Sequence, residues 1–168
     1  MKSISVAVAL SVLIGQGRKP NPLAGLQAMG ERIVRAVVDA DIPTLLAYDF
    51  PEPDFHPDNQ SALEDPKSDL HCYVFDTRCN ARGKPSVREM FTTWRKLRIQ
   101  PRSLGPGFAV LFFYDAAVVS ARRLGSQRVL CREGGRHVVS WVFKMESGRW
   151  IAANEPFDFD TDVLCPRR

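Results

Sequence analysis

Apolar and polar positions are arranged in three different ways along the chain, and each arrangement predicts a different kind of segment. At the front, Lys2 is the only charge among residues 1–17, and residues 4–14 form an almost unbroken apolar run that ends in Gly15-Gln16-Gly17. A positive start, a brief apolar stretch and a small-x-small exit make an export signal. The run is shorter than the roughly 20 apolar residues a membrane-spanning helix needs. Residues 1–17 are therefore expected to be a signal peptide and residues 18–25 a linker, with the mature chain starting near Arg18. The competing readings are a buried first strand of a cytosolic domain, or an upstream extension when translation starts at Met29.

The second arrangement is helical. Residues 26–40 place Ile33, Val34, Val37 and Val38 on one stripe. Asp41 is positioned to cap a second short helix, with Pro43 in its first turn, where the missing N–H costs little, and Leu45 and Leu46 on its buried face. Ser86-Val87-Arg88-Glu89 reads as a capping box, in which the Ser hydroxyl meets the Glu89 amide and the Glu side chain reaches back. It opens a helix with Met90, Phe91, Trp94 and Leu97 as its stripe. Between these helices, residues 50–69 carry Pro51, Pro53, Pro57 and Pro66 among acids and read as a loop. Residues 70–75 are a short β-like run.

The third arrangement is extended. Residues 98–104 and 108–114 read as strands, while residues 115–132 have both helical and extended character. Residues 136–145 and 150–156 flank Glu146-Ser147-Gly148-Arg149, and Gly148 suits a tight turn with positive φ. With Ser147-Gly148 as the loop, Met145 faces Trp150, Phe143 faces Ala152 and Trp141 faces Asn154; His137 and Val139 share that sheet face by the period of two. This face is aromatic and apolar and must be covered. The opposite face, with Val142, Lys144, Ile151 and Glu155, is more mixed.

Removing the leader leaves about 150 residues, the usual size of one domain. Net charge is +4, but residues 37–76 hold ten acids against the single base Lys67, and residues 78–149 hold fifteen bases against four acids. A basic stretch can meet nucleic acid. Here the aromatics do not interleave with the arginines as stacking platforms would, and an exported chain rarely meets nucleic acid, so the two stretches are expected to face each other or to be solvated. No nucleic-acid partner and no membrane span are expected. No phosphate loop, nucleophile elbow or His-Glu-x-x-His helix is present.

An exported chain gives its four cysteines, Cys72, Cys79, Cys131 and Cys165, a structural reading as two disulfides with three connectivities open. Cys72 and Cys79 close a small loop rich in turn formers (Asp76, Asn80, Gly83), which favours local pairing and leaves Cys131 with Cys165. A zinc site on His71, Cys72 and Cys79 competes, but its cysteine spacing is wider than that of structural zinc knuckles. A catalytic thiol would need an unpaired cysteine beside a base. Asp158, Asp160 and Asp162 look like the start of a calcium loop, yet Val163 stands where the loop needs glycine. No metal and no cofactor are expected.

Two N-terminal helices, an intervening helix and an antiparallel meander closing in Trp-x-Phe-Lys-x-Glu-x-Gly-x-Trp make an order that resembles the nuclear transport factor 2-like superfamily. Residues 33–48 and 141–154 carry the likeness, roughly a fifth of the chain. The resemblance implies an α+β domain over residues 26–168, its N-terminal helices packed on a curved antiparallel sheet, with a pocket inside the cone-like shape. Members of that superfamily include steroid isomerases, polyketide cyclases, dehydratases and binding or accessory domains. The isomerase-type members pair a carboxylate base with a Tyr or acid donor, for which Tyr48, Asp49, Tyr114 and Asp115 are chemically suitable without a motif that assigns them.

The candidate pocket consists of His137, Trp141 and Asn154 as a polar island on an aromatic wall, with Tyr48, Trp94 and Tyr114 as further lining. The plainer reading makes Trp94 and Trp141 core and leaves His137 at an exposed strand end. The expected function is that of a secreted or periplasmic domain that binds a small, partly apolar ligand or serves as an accessory domain. One alternative is a proton-transfer enzyme using a pocket His or carboxylate. Another is an interaction module using the acidic loop or the open sheet face, with a second copy of the chain among the partners it could take.

Overall fold

The computed structural model describes residues 22–48, 59–79, 84–124 and 137–153. The leader, most of the acidic loop, Cys131, Asn154 and Cys165 lie outside them. Helix α1 (Pro22–Asp39) starts within the segment read as linker. It buries Leu26, Met29, Ile33, Ala36 and Val37, the three- and four-residue spacing of one helix face. It ends where Ala40 turns to φ 54° and the Asp41 amide donates to the Ala36 carbonyl at 2.8 Å, the six-to-one bond of a Schellman terminus. Asp41 then caps α2 (Ile42–Leu46), accepting from the Thr44 amide at 3.1 Å and the Thr44 hydroxyl at 2.6 Å.

Two expectations are corrected between residues 59 and 75. A helix, α3 (Asn59–Glu64), forms inside the proline-rich stretch, and the β-like run is a second helix, α4 (Asp69–Phe75). Residues 59–64 contain no proline and are flanked by Pro57 and Pro66, so the prolines bound that helix without interrupting it. For α4, Ser68 decides: its Oγ accepts from the His71 amide at 3.0 Å while its hydroxyl donates to the Ala62 carbonyl. Cys72, Val74 and Phe75 are buried on α4. A 3-10 turn (Thr77–Cys79) follows, and a disulfide joins Cys72 to Cys79. Both thiols are thereby used, so the zinc set with His71 is not formed; His71 Nδ1 lies 2.6 Å from the Leu63 carbonyl.

Helix α5 (Val87–Thr93) is capped by Ser86, whose Oγ accepts from the Glu89 amide at 3.2 Å. The reciprocal half of the capping box is replaced: the Ser86 amide donates to Thr77 Oγ1 at 2.8 Å, and the Thr77 hydroxyl donates to the Glu89 carboxylate. Trp94 leaves the helix in an extended conformation, so Leu97 opens a strand and does not extend the helical stripe.

Strands β1 (Leu97–Gly105), β2 (Phe108–Asp115), β3 (Val138–Glu146) and β4 (Arg149–Ala152) form one antiparallel meander in chain order. The hairpin register is the expected one, with Phe143 opposite Ala152 and Met145 opposite Trp150. Ser147 and Gly148 both take positive φ, at 49° and 80°, as a two-residue type I′ turn requires. Of the ambiguous stretch 115–132, Asp115 ends β2 and the described residues 116–124 form a turn followed by a single helical turn, α6 (Ala121–Leu124). The architecture is α+β.

The central strands β2 and β3 are buried on both faces, while β1 and β4 are only partly covered. One face presents Ala109, Leu111, Phe113, Val139, Trp141, Phe143 and Ala152 to α1, α4 and α5 in the main core. The other presents Val110, Phe112, Tyr114 and Val138 to Val119 and Leu124 in a smaller cluster. At its borders, β4 donates the Ala152 amide to the Tyr48 carbonyl at 3.0 Å, and β1 carries Pro101.

Gly30 sets how closely α1 approaches the sheet. A Cβ there would lie 2.6 Å from Ile99 Cγ2 on β1 and 3.5 Å from Leu111 Cδ1 on β2. Ile99 is β-branched and stiff about χ1, so it yields poorly. Gly30→Ala is expected to destabilise by about 1–3 kcal/mol, the overpacking term exceeding the helix-propensity gain of about 1 kcal/mol. Urea unfolding checks this. In an Ile99→Ala background the same change should lose most of its penalty.

Candidate functional site

The main core leaves one end of the sheet open, where β2 exits and β3 enters beside the C-terminal end of α5. Asp115 organises this end. Its side chain accepts from three backbone amides: Oδ1 from Lys96 at 3.1 Å and Ala117 at 2.9 Å, and Oδ2 from Arg95 at 3.4 Å. The Ala117 bond is an Asx turn two residues on; the other two fix the connection between α5 and β1. The Asp115 amide donates to the His137 carbonyl at 3.0 Å, and the Ala116 amide to the Lys96 carbonyl at 2.8 Å. One residue thus ties together the α5–β1 turn, the end of β2 and the start of β3.

Asp115 is only 5% exposed. Burial by itself pushes its carboxyl upward; the amides of Ala117, Lys96 and Arg95, helped by the charge of nearby His137, outweigh burial and hold it below the ordinary aspartate value. The group is therefore an anchored anion.

Beside it opens a cleft of about 790 Å³. Its apolar lining includes Pro85, Met90, Trp94, Ala117 and Val118; its polar lining includes Thr77, Glu89, Arg95, Asp115 and His137. Trp94 is half-buried and tilted against Phe91, ring centroids 5.7 Å apart. Val118 leaves 48% of its surface exposed. His137 Nδ1 is buried and has no hydrogen-bond partner among the described residues. Such an atom costs about 1–3 kcal/mol until it is satisfied.

Of the six expected pocket residues, the structure brings Trp94 and His137 together in this cleft. Trp141 is 2% exposed within the main core, as in the plainer reading. Tyr48 packs at the β4 border, where its hydroxyl oxygen accepts from Arg32 Nε at 3.0 Å. Tyr114 belongs to the other sheet face, its hydroxyl donating to Gln100 Oε1 at 3.5 Å. Tyr114 and Asp115 are neighbours in one strand and so point to opposite faces. Asn154 lies outside the described residues.

Sequence reasoning missed Thr77, Glu89, Arg95 and Val118 as lining, and missed the anchoring role of Asp115. One local signal was present for Asp115: an Asp at the exit of an apolar strand, followed by two small residues, is an Asx-turn pattern. Among the described residues no group of three or more His, Cys, Asp or Glu could hold a metal ion, and no helix is long and apolar enough to cross a membrane. No family model, no curated protein and no solved structure matches this chain.

Because the folded-state pKa of Asp115 is depressed, its contribution to stability is fully present above the unfolded value of about 3.9 and is lost as pH falls through the folded value. Asp115→Asn places an amide group among backbone donors and should cost about 1–3 kcal/mol at neutral pH. In acid, where the native carboxyl is protonated, the gap between the two proteins should narrow. Urea unfolding across this pH range measures both effects.

Proposed function

We propose that the chain is a small-ligand-binding domain of an exported protein, and that its ligand occupies the cleft between α5 and the β2–β3 end of the sheet. The observation that carries this reading is the unpartnered His137 Nδ1 beside a cleft walled by Trp94 and Val118. Binding pockets are apolar concavities with a few polar groups that fix orientation. The cleft fits that description, and a ligand that lets the His137 ring turn to a partner recovers the free energy of an unmet hydrogen bond.

Binding is favoured over proton transfer by Asp115. A general base works best with a pKa near the working pH. The three amide donors hold this carboxylate away from that range, and its neighbour Tyr114 faces the other cluster. Export, a second bridge between Cys131 and Cys165, and kinship with the cone-shaped nuclear transport factor 2-like domains are parts of the same proposal. The Cys72–Cys79 bridge and the order of helices and antiparallel strands support them.

Adding small aromatic ketones to the labelled protein should shift the Trp94 indole and His137 imidazole resonances together. Trp94→Ala should weaken that binding by about tenfold or more; because Trp94 also packs on Phe91, the variant should lose about 1–3 kcal/mol of stability, and binding is compared where both proteins are folded. Shifts that map to the acidic segment or to the β1–β2 hairpin, with the cleft silent, would count against the cleft as the binding site.

A further inference from the structure

The charged groups around the cleft are unequally satisfied, and the imbalance has a sign. Both acids already have donors. Asp115 accepts from three backbone amides. Glu89 accepts from the Thr77 hydroxyl, which is itself held by the Ser86 amide. Both basic groups lack acceptors. The Arg95 guanidinium, on an exposed residue, has no side-chain hydrogen bond or ion pair among the described residues. His137 Nδ1 is the other unmet group. Arginine offers five donors and no acceptor, and imidazole can donate from Nδ1. Asp115 is thus engaged by three donors and Glu89 by one, whereas neither the Arg95 guanidinium nor His137 Nδ1 has an acceptor among the described residues.

An incoming group that answers this demand is an acceptor at more than one atom, and a negative charge on it strengthens the bonds to Arg95. A planar carboxylate does so, and it matches the guanidinium fork. The rest of the lining sets the body of the molecule. Met90, Trp94 and Val118 offer an aromatic and aliphatic wall, whereas a sugar or a polyphosphate would need polar side chains along the same wall. Glu89 and Asp115 oppose a second negative charge. From this hydrogen-bond accounting we infer that the cleft selects a small organic monocarboxylate with an apolar body, its carboxylate at Arg95 and His137 and its body against Trp94 and Val118. The inference rests on the reading of the cleft as the ligand site.

Three compounds of nearly equal shape separate the alternatives: phenylacetate, phenylacetamide and phenethylamine. Each is titrated into the full chain while the Trp94 indole and His137 imidazole signals are followed. Phenylacetate should bind at least about tenfold more tightly than the amide, and the amine more weakly still. Arg95→Gln should remove most of the preference for acid over amide, weakening acid binding far more than amide binding. Arg98→Gln, an equal loss of charge at an exposed residue that pairs with Tyr114 across the strands and so sits on the other sheet face, should change neither. An amide or amine that binds as well as the acid, or a preference that survives Arg95→Gln, would overturn the carboxylate assignment while keeping the cleft as a binding site. If none of the three shifts either resonance, the assignment and the reading beneath it fail together.

Discussion

A carboxylate taken out of water has to be given back the hydrogen bonds it lost, and in this protein the way Asp115 recovers them determines where the chain goes. Three amides converge on it from two segments about twenty residues apart in sequence, and its own amide holds a third segment. Those segments are the helix-to-sheet turn, the exit of one central strand and the entry of the other. Without an acceptor at this point, the amides of Arg95, Lys96 and Ala117 would lose the partner that holds their segments together. The carboxylate is thus first a structural element. The cleft lies beside it, lined in part by those same segments through Arg95, Ala117 and His137.

The rest of the architecture depends on strand parity. The meander sorts its residues onto two faces, and the central strands find cover on both: α1 with the short helices α4 and α5 on one side, the turn around Val119 and Leu124 on the other. That double burial explains why β2 is apolar from Ala109 onward without alternating. It also sends the aromatic residues of β3, Trp141 and Phe143, into the main core, their ring centroids 5.0 Å apart. Room for a guest is found at the end of the layers, where the side chains come from loops and a helix terminus.

What could be read from the sequence follows from how local each cause is. The β3–β4 register was readable because a two-residue loop with Gly148 fixes it locally, between Phe143 and Ala152. The Asp41 and Ser86 caps were readable for the same reason. Residues 70–75 were misread because Leu, Tyr, Val and Phe serve a buried helix and a buried strand equally well; the deciding signal was the Ser68 hydroxyl just upstream. The capping box was half right, since Thr77 reached Ser86 across the disulfide-closed turn and took the place of the expected local bond. The site was least legible. Its members come from residues 77 to 137, and what joins them is mainly backbone amides, which carry no letter in the sequence.

Antiparallel sheets end in rows of backbone groups that can recruit a strand from another molecule. Here the two borders are blunted by different means. On the last strand an outward amide is already answered by the carbonyl at the close of α2, and on the first strand a proline removes one outward donor within a segment flanked by Arg98 and Arg102. Sheet growth from molecule to molecule is disfavoured at either side. At these two points an incoming strand would meet a spent amide or a missing donor, so contacts between copies there fall to side chains.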